Sequence, residues 1–166
     1  MQSCIQTNRL VLRPHRASDA DALVHLIGNE NVSRWLPRVP HPYTHDDART
    51  FMARERREGE ALAITLDDQL IGGCGIDEER GYWLGEPFLG YGYATEAATA
   101  LIARYFAGTE KDLNSGHRVG NDASRRVLAR LGFHDTERRW HFSETEQVEV
   151  EVQHMALSAG QWKDAA

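Results

Sequence analysis

The sequence predicts a mixed α/β domain built around one sheet, mostly antiparallel, with six to seven strands flanked by about four helices. Two kinds of period and their punctuation carry this expectation. Short runs alternate apolar and polar residues, as in Arg9 to Arg13 and Val148 to Val152, which suits strands. Other runs place apolar residues three and four apart, as in Ala94, Ala97, Ala98, Leu101, Ile102 and Tyr105, which suits helices. Glycine, proline and aspartate separate the two kinds, and 166 residues make one domain, spanning 1–166, with a single sizeable core.

Taken in order, Arg9 to Arg13 forms the first strand and Pro14 stops it. Ser18 begins a helix with Asp19 and Asp21 in its first turn and Leu23, Leu26 and Ile27 as its apolar stripe. Gly28 to Tyr43 is loop-like, limited by Pro37, Pro40 and Pro42. Thr44, followed by Asp46 and Asp47, starts a second helix that turns Ala48, Phe51 and Met52 inward and ends near Gly59. Ala61 to Leu66 and Leu70 to Ile76 form a hairpin around Asp67-Asp68-Gln69. Arg80 to Leu84 is a further strand, entering a glycine-rich turn from which the helix beginning at Tyr93 emerges. Leu113 to Val119 is a short strand weakened by Gly116. Asp122 to Leu131 is helical, with Val127, Leu128 and Leu131 inward and Gly132 at its stop. Thr136 to Phe142 and the alternating tail close the chain as a terminal hairpin.

Composition excludes several classes. Hydrophobic residues at 41% and charged residues at 27% are ordinary for a soluble globular protein, and no apolar run is long enough to span a bilayer. A net charge of −6, from 25 acidic and 19 basic residues, argues against non-specific nucleic-acid binding. Met1 to Thr7 lacks the features of a signal peptide, and Cys4 and Cys74 read as reduced thiols, so a cytoplasmic location is expected. His41 and His45 have the spacing of helix-borne ligands, but Pro42 and the loop context leave no metal expected.

The most informative stretch runs from Gly81 to Thr95. A strand enters a turn containing Gly90 and Gly92, and a helix starts at once. First-turn N–H groups have no partner inside their helix and carry the positive end of its dipole. Glycines remove the Cβ atoms that would hold a phosphate away, so the pattern makes an anion cradle that needs no lysine. A turn with glycines for geometry alone is the competing reading. P-loop spacing exists between Gly85 and Gly90, but Tyr91-Gly92 stands where lysine and a hydroxyl residue belong. A dinucleotide fingerprint opening at Gly90 meets Thr95 at its third glycine position.

Gly81 to Thr95 resembles the pyrophosphate-binding motif of the GNAT superfamily of N-acetyltransferases, in its ribosomal-protein N-terminal acetyltransferase subgroup. Asn121 to Phe133 resembles that subgroup's following helix. Arg9-Leu-Val-Leu-Arg-Pro14 and His154 to Trp162 match its start and end, so the likeness runs along nearly the whole chain. The resemblance implies splayed central strands and acetyl-CoA as acetyl donor. Main-chain groups of Trp83 and Leu84 would meet the pantetheine arm. N–H groups around Leu89, Gly90, Tyr91, Gly92, Tyr93 and Ala94 would hold the pyrophosphate, with the Thr95 hydroxyl beside them. Asn121 would contact the cofactor arm, cap its helix, or do both. Arg125 and Arg126 would either neutralise phosphates or sit solvated on the helix.

The sequence departs from the family pattern in places. Pro87 follows Glu86 where relatives often carry proline one place earlier, and Tyr91 stands where a basic residue is common. Leu128 occupies the position of the tyrosine that many GNAT enzymes use as general acid. The subgroup likeness then nominates Ser124 to protonate the departing thiolate, against a role in completing the helix N-terminus.

The implied reaction is direct attack of a primary amine, a protein N-terminus or a small molecule, on the thioester carbonyl. A base is required, and Glu78, Glu79, His117 and Glu144 are candidates among which no spacing selects. Trp35 and Tyr43 would wall the acceptor pocket or pin the proline-rich loop to the core. A catalytically weak acyl-CoA-binding sensor on the same fold is the alternative function, and the protein is expected to be a monomer or homodimer.

Overall fold

The computed structural model describes residues 4–58, 61–76 and 81–165. Strands β1 (Ile5–Gln6), β2 (Val11–Arg13), β3 (Ala61–Leu66), β4 (Gln69–Gly75) and β5 (Tyr82–Leu84) form one antiparallel sheet in that order. Strands β6 (Leu113–Arg118), β7 (His134–Ser143) and β8 (Val148–Leu157) form a second, in the order β6-β8-β7. Helices α1 (Ala20–Ile27), α2 (Glu30–Ser33) and α3 (His45–Glu58) lie between β2 and β3. Helix α4 (Tyr93–Gly108) links the sheets, α5 (Asp122–Arg130) follows β6, and α6 (Ala159–Ala165) closes the chain. The expected α/β architecture is present, and the expected single sheet is parted into two ladders between β5 and β6. β1, α2 and α6 are too short to give a periodic signal, which is why sequence pattern passes over them.

Local chemistry explains the turns. Asp67 and Asp68 both have positive φ (49° and 63°), as a two-residue hairpin with the twist of its strands requires. Gly132 (φ +96°) ends α5, with its N–H bonded to Ala129 C=O and the Phe133 N–H to Leu128 C=O, both at 3.1 Å, closing a Schellman motif. Ser18 does not open α1 directly. Ala17–Asp19 form a 3-10 turn first, because Asp19 faces inward: Arg13 Nη1 and Nη2 donate to its two carboxylate oxygens at 2.8 and 2.9 Å, and Arg16 N–H to Oδ2 at 2.7 Å. Glu78, Glu79 and Arg80, and the expected stop of α3 at Gly59, lie outside the described residues.

Three apolar clusters hold the layers. Leu10, Leu12, Leu62, Ile64, Ile71 and Leu84 pack with Ala97 of α4 on one face of the first sheet. Leu23, Ile27, Ala48 and Met52 of α1 and α3 pack with Ala63 and Leu70 on the other. Leu113, Met155 and Leu157 meet Ile102 of α4 and Leu128 of α5 over the second sheet. Helix α4 thus contributes to clusters on both sheets and fixes one against the other.

Arg13 and Asp19 are 3% and 5% exposed, so their ion pair is buried. Burial pushes the Asp19 carboxyl up, but the Arg13 and Arg16 hydrogen bonds outweigh it and hold the carboxyl below its ordinary value of 3.8. A depressed folded-state value stabilises the fold above the unfolded value, and that contribution fades as pH falls through the folded one. Asp19→Ala is expected to cost about 3–5 kcal/mol at pH 7, the range for breaking one side of a buried pair. Urea titrations should show the gap to the wild type narrowing below the ordinary carboxyl value.

Candidate active site

β5 and β6 are edges of their sheets, and α4 joins one edge to the other. At β5 the Gly75 N–H donates to Gly81 C=O at 2.9 Å and the Gly85 N–H to Ile71 C=O at 2.8 Å. Those bonds set the alternation of an antiparallel pair: Gly81, Trp83 and Gly85 face β4, while the N–H and C=O of Tyr82 and Leu84 turn toward β6. A Cβ on Gly81 would stand 3.8 Å from Ser115 Oγ of β6, so the strands come close there, yet no ladder joins them among the described residues. The gap opens into a cavity lined by Gly81, Tyr82, Asn114 and Ser115, with Leu101 and Leu128 beneath.

Register corrects one expectation. Trp83 was expected to offer main-chain groups beside Leu84, but it directs them to Gly73 on β4. Its indole lies among the residues of α1 and α3, where a Cβ on Gly73 would stand 2.6 Å from Nε1. Leu84 keeps its main chain toward the gap.

After β5 a 3-10 turn at Glu86–Phe88 leads to the glycine turn. The Leu89 N–H donates to Glu86 C=O at 3.3 Å, so Leu89 does not offer the free donor expected of it. Gly90 (φ +85°) and Gly92 (φ +81°) are both left-handed, a conformation that strains other residues. Nothing lies within 4 Å of a Cβ built on Gly90, so the space beside it is open. Gly92 is the N-cap of α4 without a side-chain cap, and the first intrahelical bond runs from Glu96 N–H to Gly92 C=O at 3.1 Å. The N–H groups of Tyr93, Ala94 and Thr95 precede that bond and have no carbonyl inside the helix.

Sequence reasoning missed the charge at this turn. Arg9, just before β2, donates from Nη1 to Tyr91 C=O at 2.9 Å and from Nε to Glu96 at 2.7 Å, and stacks 4.6 Å from the centre of the Tyr93 ring. A Cβ on Gly92 would be 3.5 Å from its Nη2. Glu96 also accepts from the Thr7 hydroxyl at 2.6 Å and the Arg9 N–H at 2.8 Å. Burial raises its carboxyl, but these bonds outweigh burial and leave it below the ordinary 4.5. Arg9 therefore brings positive charge to the turn where Tyr91 supplies none. The only signal was its place in the Arg9 to Pro14 match.

Across the gap, Asn121 caps α5 by accepting the Ser124 N–H at 3.2 Å. Ser124 Oγ lies 3.1 Å from the Tyr82 hydroxyl, which is also 3.3 Å from Ser124 C=O. Burial pushes the Tyr82 phenol up and the Ser124 bond opposes it, leaving a net rise. Leu128, one turn on, is buried in the core. Nothing in sequence places position 82 opposite position 124, so the sequence shows Tyr82 only as part of a strand. Arg125 and Arg126 are exposed on α5.

The loop after α1 is tied at both ends. Asn29 and Asn31 side-chain amides donate to Glu86, the latter at 3.2 Å. At the other end, Thr145 in the β7–β8 turn brings its hydroxyl to Val39 C=O at 2.6 Å and Ser33 C=O at 3.0 Å, and Arg118 donates to Arg34 C=O at 2.8 Å and pairs with Glu146. Trp35 lies between the Arg34 and Arg118 guanidinium groups, at 4.8 and 5.6 Å from ring centre. Tyr43 packs against the α1–α3 cluster, its phenol pushed up to about 12 by burial and then by Asp47. The loop pinning suggested for these aromatics is what Tyr43 does, while Trp35 belongs to the Arg118 corner.

Of the candidate bases, Glu144 is exposed in the hairpin turn. His117 is buried, with Nδ1 3.1 Å from Arg118 C=O and Nε2 without a hydrogen-bond partner among the described residues. His45 Nε2 lies 2.8 Å from Asp21, and no cluster of three metal-ligating side chains occurs among the described residues.

An edge-to-edge gap followed by a glycine turn and uncapped helix N–H groups suits a transferase that takes an elongated phosphorylated donor between two strands. The acetyltransferase (GNAT) domain profile matches residues 9–134, and the chain belongs to that family of acetyl-CoA-dependent N-acetyltransferases. Solved structures agree on the fold. A GNAT-family acetyltransferase from Bacillus anthracis superposes with a TM-score of 0.82 at 18% identity, covering 95% of this chain and 99% of that one. The RimL ribosomal L7/L12 α-N-protein acetyltransferase in complex with coenzyme A gives 0.75 at 22% identity, covering 94% and 98%. The microcin C7 self-immunity acetyltransferase MccE, in complex with acetyl-CoA and AMP, gives 0.75 at 22%, covering 91% and 93%. No curated protein matches the sequence.

Arg9→Gln is expected to weaken coenzyme A binding roughly tenfold by calorimetry, the order of one charge-assisted hydrogen bond, with a shallower salt dependence than the wild type.

Proposed function

We propose that the chain transfers the acetyl group of acetyl-CoA to a primary amine, either a protein N-terminal α-amine or an amine of a small molecule, by direct attack. The Tyr82–Ser124 hydroxyl pair beside the β5–β6 gap carries this reading. A serine hydroxyl alone is a poor proton source for a thiolate. A phenol, ordinarily near 10, is much closer to a thiol at about 8.5, and burial keeps Tyr82 protonated at neutral pH. Tyr82 donates to Ser124 Oγ, and the Ser124 proton goes to the departing sulfur. The acid missing at Leu128 is thus replaced from the facing strand, which favours catalysis over a sensor role.

The remaining residues bind and orient. Bound acetyl-CoA supplies a thioester, an acyl group already activated for transfer. Leu84 N–H and C=O face the gap and suit the amide groups of a pantetheine arm. The N–H groups from Gly90 to Thr95, with Arg9 behind them, suit the pyrophosphate. Asn121 fixes the start of α5, and the exposed Arg126 is assigned to the nucleotide phosphates. Trp35 and the loop tied to Glu86 and Thr145 wall the acceptor side. N-terminal acetylation by RimL, a neighbour in fold, makes free peptide N-termini the first acceptors to try.

Thiol release from acetyl-CoA, followed with peptides bearing free or blocked N-termini and with small amines, tests the reading. Transfer is expected only to free amines. Folded protein that binds acetyl-CoA but acetylates none of them overturns it. Tyr82→Phe and Ser124→Ala should each lower kcat about a hundredfold with KM little changed, and the double variant should be no worse than the more impaired single one.

A further inference from the structure

A pair of histidines lies outside the hydroxyl site. His154 of β8 and His141 of β7 meet diagonally across the terminal hairpin, Nε2 to Nε2 at 3.0 Å, with ring centres 5.3 Å apart. Two nitrogens at that distance share one proton, so one ring donates and the other accepts.

Register places the pair on a definite face. His154 stands opposite Gly116 of β6, and Val152 opposite Arg118, so His154 and Arg118 lie on the same side of the sheet. Arg118 is the residue bonded to the loop at Arg34 C=O and stacked on Trp35. His117 lies on the opposite side, with Ser115 and Leu113, under α5. Gly116 puts no side chain on β6 between His154 and the gap beside β5. A Cβ there would stand 2.9 Å from Gln153 C=O and 3.6 Å from His154 Cα. Hence the His154 ring shares the loop-bearing face with the Arg118 corner, and the β6 position opposite it carries no side chain.

We propose that His154 is the general base that takes the proton from the acceptor ammonium, and that His141 is the positioning residue that holds its ring. The inference rests on the acetyl transfer proposed above. In the productive tautomer His154 Nε2–H donates to His141 Nε2, which leaves the His154 Nδ1 lone pair to accept an N–H proton. The amine nitrogen keeps the electron pair of that bond and uses it to form the new C–N bond. The C–S pair leaves with sulfur, which is protonated from Ser124, and the second proton left on the new amide nitrogen passes to water, from which the Tyr82–Ser124 pair is reprotonated. Burial first, then His141 and Arg139, lower His154 from its ordinary value of 6.5, against Glu137, so the ring is neutral at physiological pH. Arg118 on β6, paired with Glu146, and Arg139 with Glu137 on β7 are the other charged groups on this face.

The test is the pH profile of kcat/KM for peptide acetylation by the full chain, with acetyl-CoA affinity measured alongside. The wild type should show an acid limb from the pair. His154→Gln should lower kcat/KM at pH 7 about a hundredfold, leave acetyl-CoA affinity unchanged, remove that limb, and recover as pH nears the amine's own pKa. His141→Leu should keep a limb but move it up toward the ordinary imidazole value of about 6.5. An unchanged profile in His154→Gln, or loss of the limb in His117→Gln instead, overturns the assignment while leaving acetyl transfer standing. Absence of transfer by the wild type at every pH overturns both.

Discussion

Two strand edges that face each other without pairing among the described residues set the terms for the rest of the molecule. Backbone N–H and C=O groups left inside a protein require partners, and β5 turns those of Tyr82 and Leu84 toward a neighbour that has diverged. A ligand with its own amide groups satisfies them in the way another strand would. The gap is held open from below, because α4 packs into the clusters of both sheets and cannot follow either one alone. The glycine turn follows β5 and the start of α5 follows β6. The site is therefore a consequence of how the two halves are joined, and its walls are ordinary core packing.

Charge is arranged economically around that gap. A chain of net charge −6 still places a guanidinium at the glycine turn, since Arg9 is fixed there by Glu96, Tyr91 and Tyr93. Glu96 offsets its charge and orients it. Its two oxygens collect the Thr7 hydroxyl and the Arg9 N–H and guanidinium, which ties the N-terminal segment to the first turn of α4. Elsewhere polar groups are paired in the same way: Asn121 with the Ser124 N–H, Ser124 with Tyr82, and His141 with His154.

Much of this was legible in the sequence, and the limit of legibility has a physical cause. Helices α3, α4 and α5 and the hairpins announce themselves through period and turn chemistry, as Asp67-Asp68 and Gly132 illustrate. The glycine turn was legible because left-handed positions and an uncapped helix start leave a local mark. Whatever depends on one strand meeting another was hidden. Register decides that Leu84 and not Trp83 faces the gap, and that Tyr82 reaches Ser124. It also decides that His154 and His117, two residues with the same chemistry, lie on opposite faces. Composition and spacing within a segment carry none of that information, since a one-residue slip reverses it.

The loop tied to Glu86 at one end and to Thr145 and Arg118 at the other has a consequence for how such an enzyme is re-specified. Its anchors belong to the donor strand's turn and to the terminal hairpin, so neither is free to vary with the acceptor. The bonds along Arg34 to Arg38 take main-chain carbonyls, of Arg34, Leu36 and Pro37, so side chains there can change while the path of the loop stays fixed. A designer seeking a new acceptor would diversify that span at constant length, as one re-strings an instrument without moving its pegs.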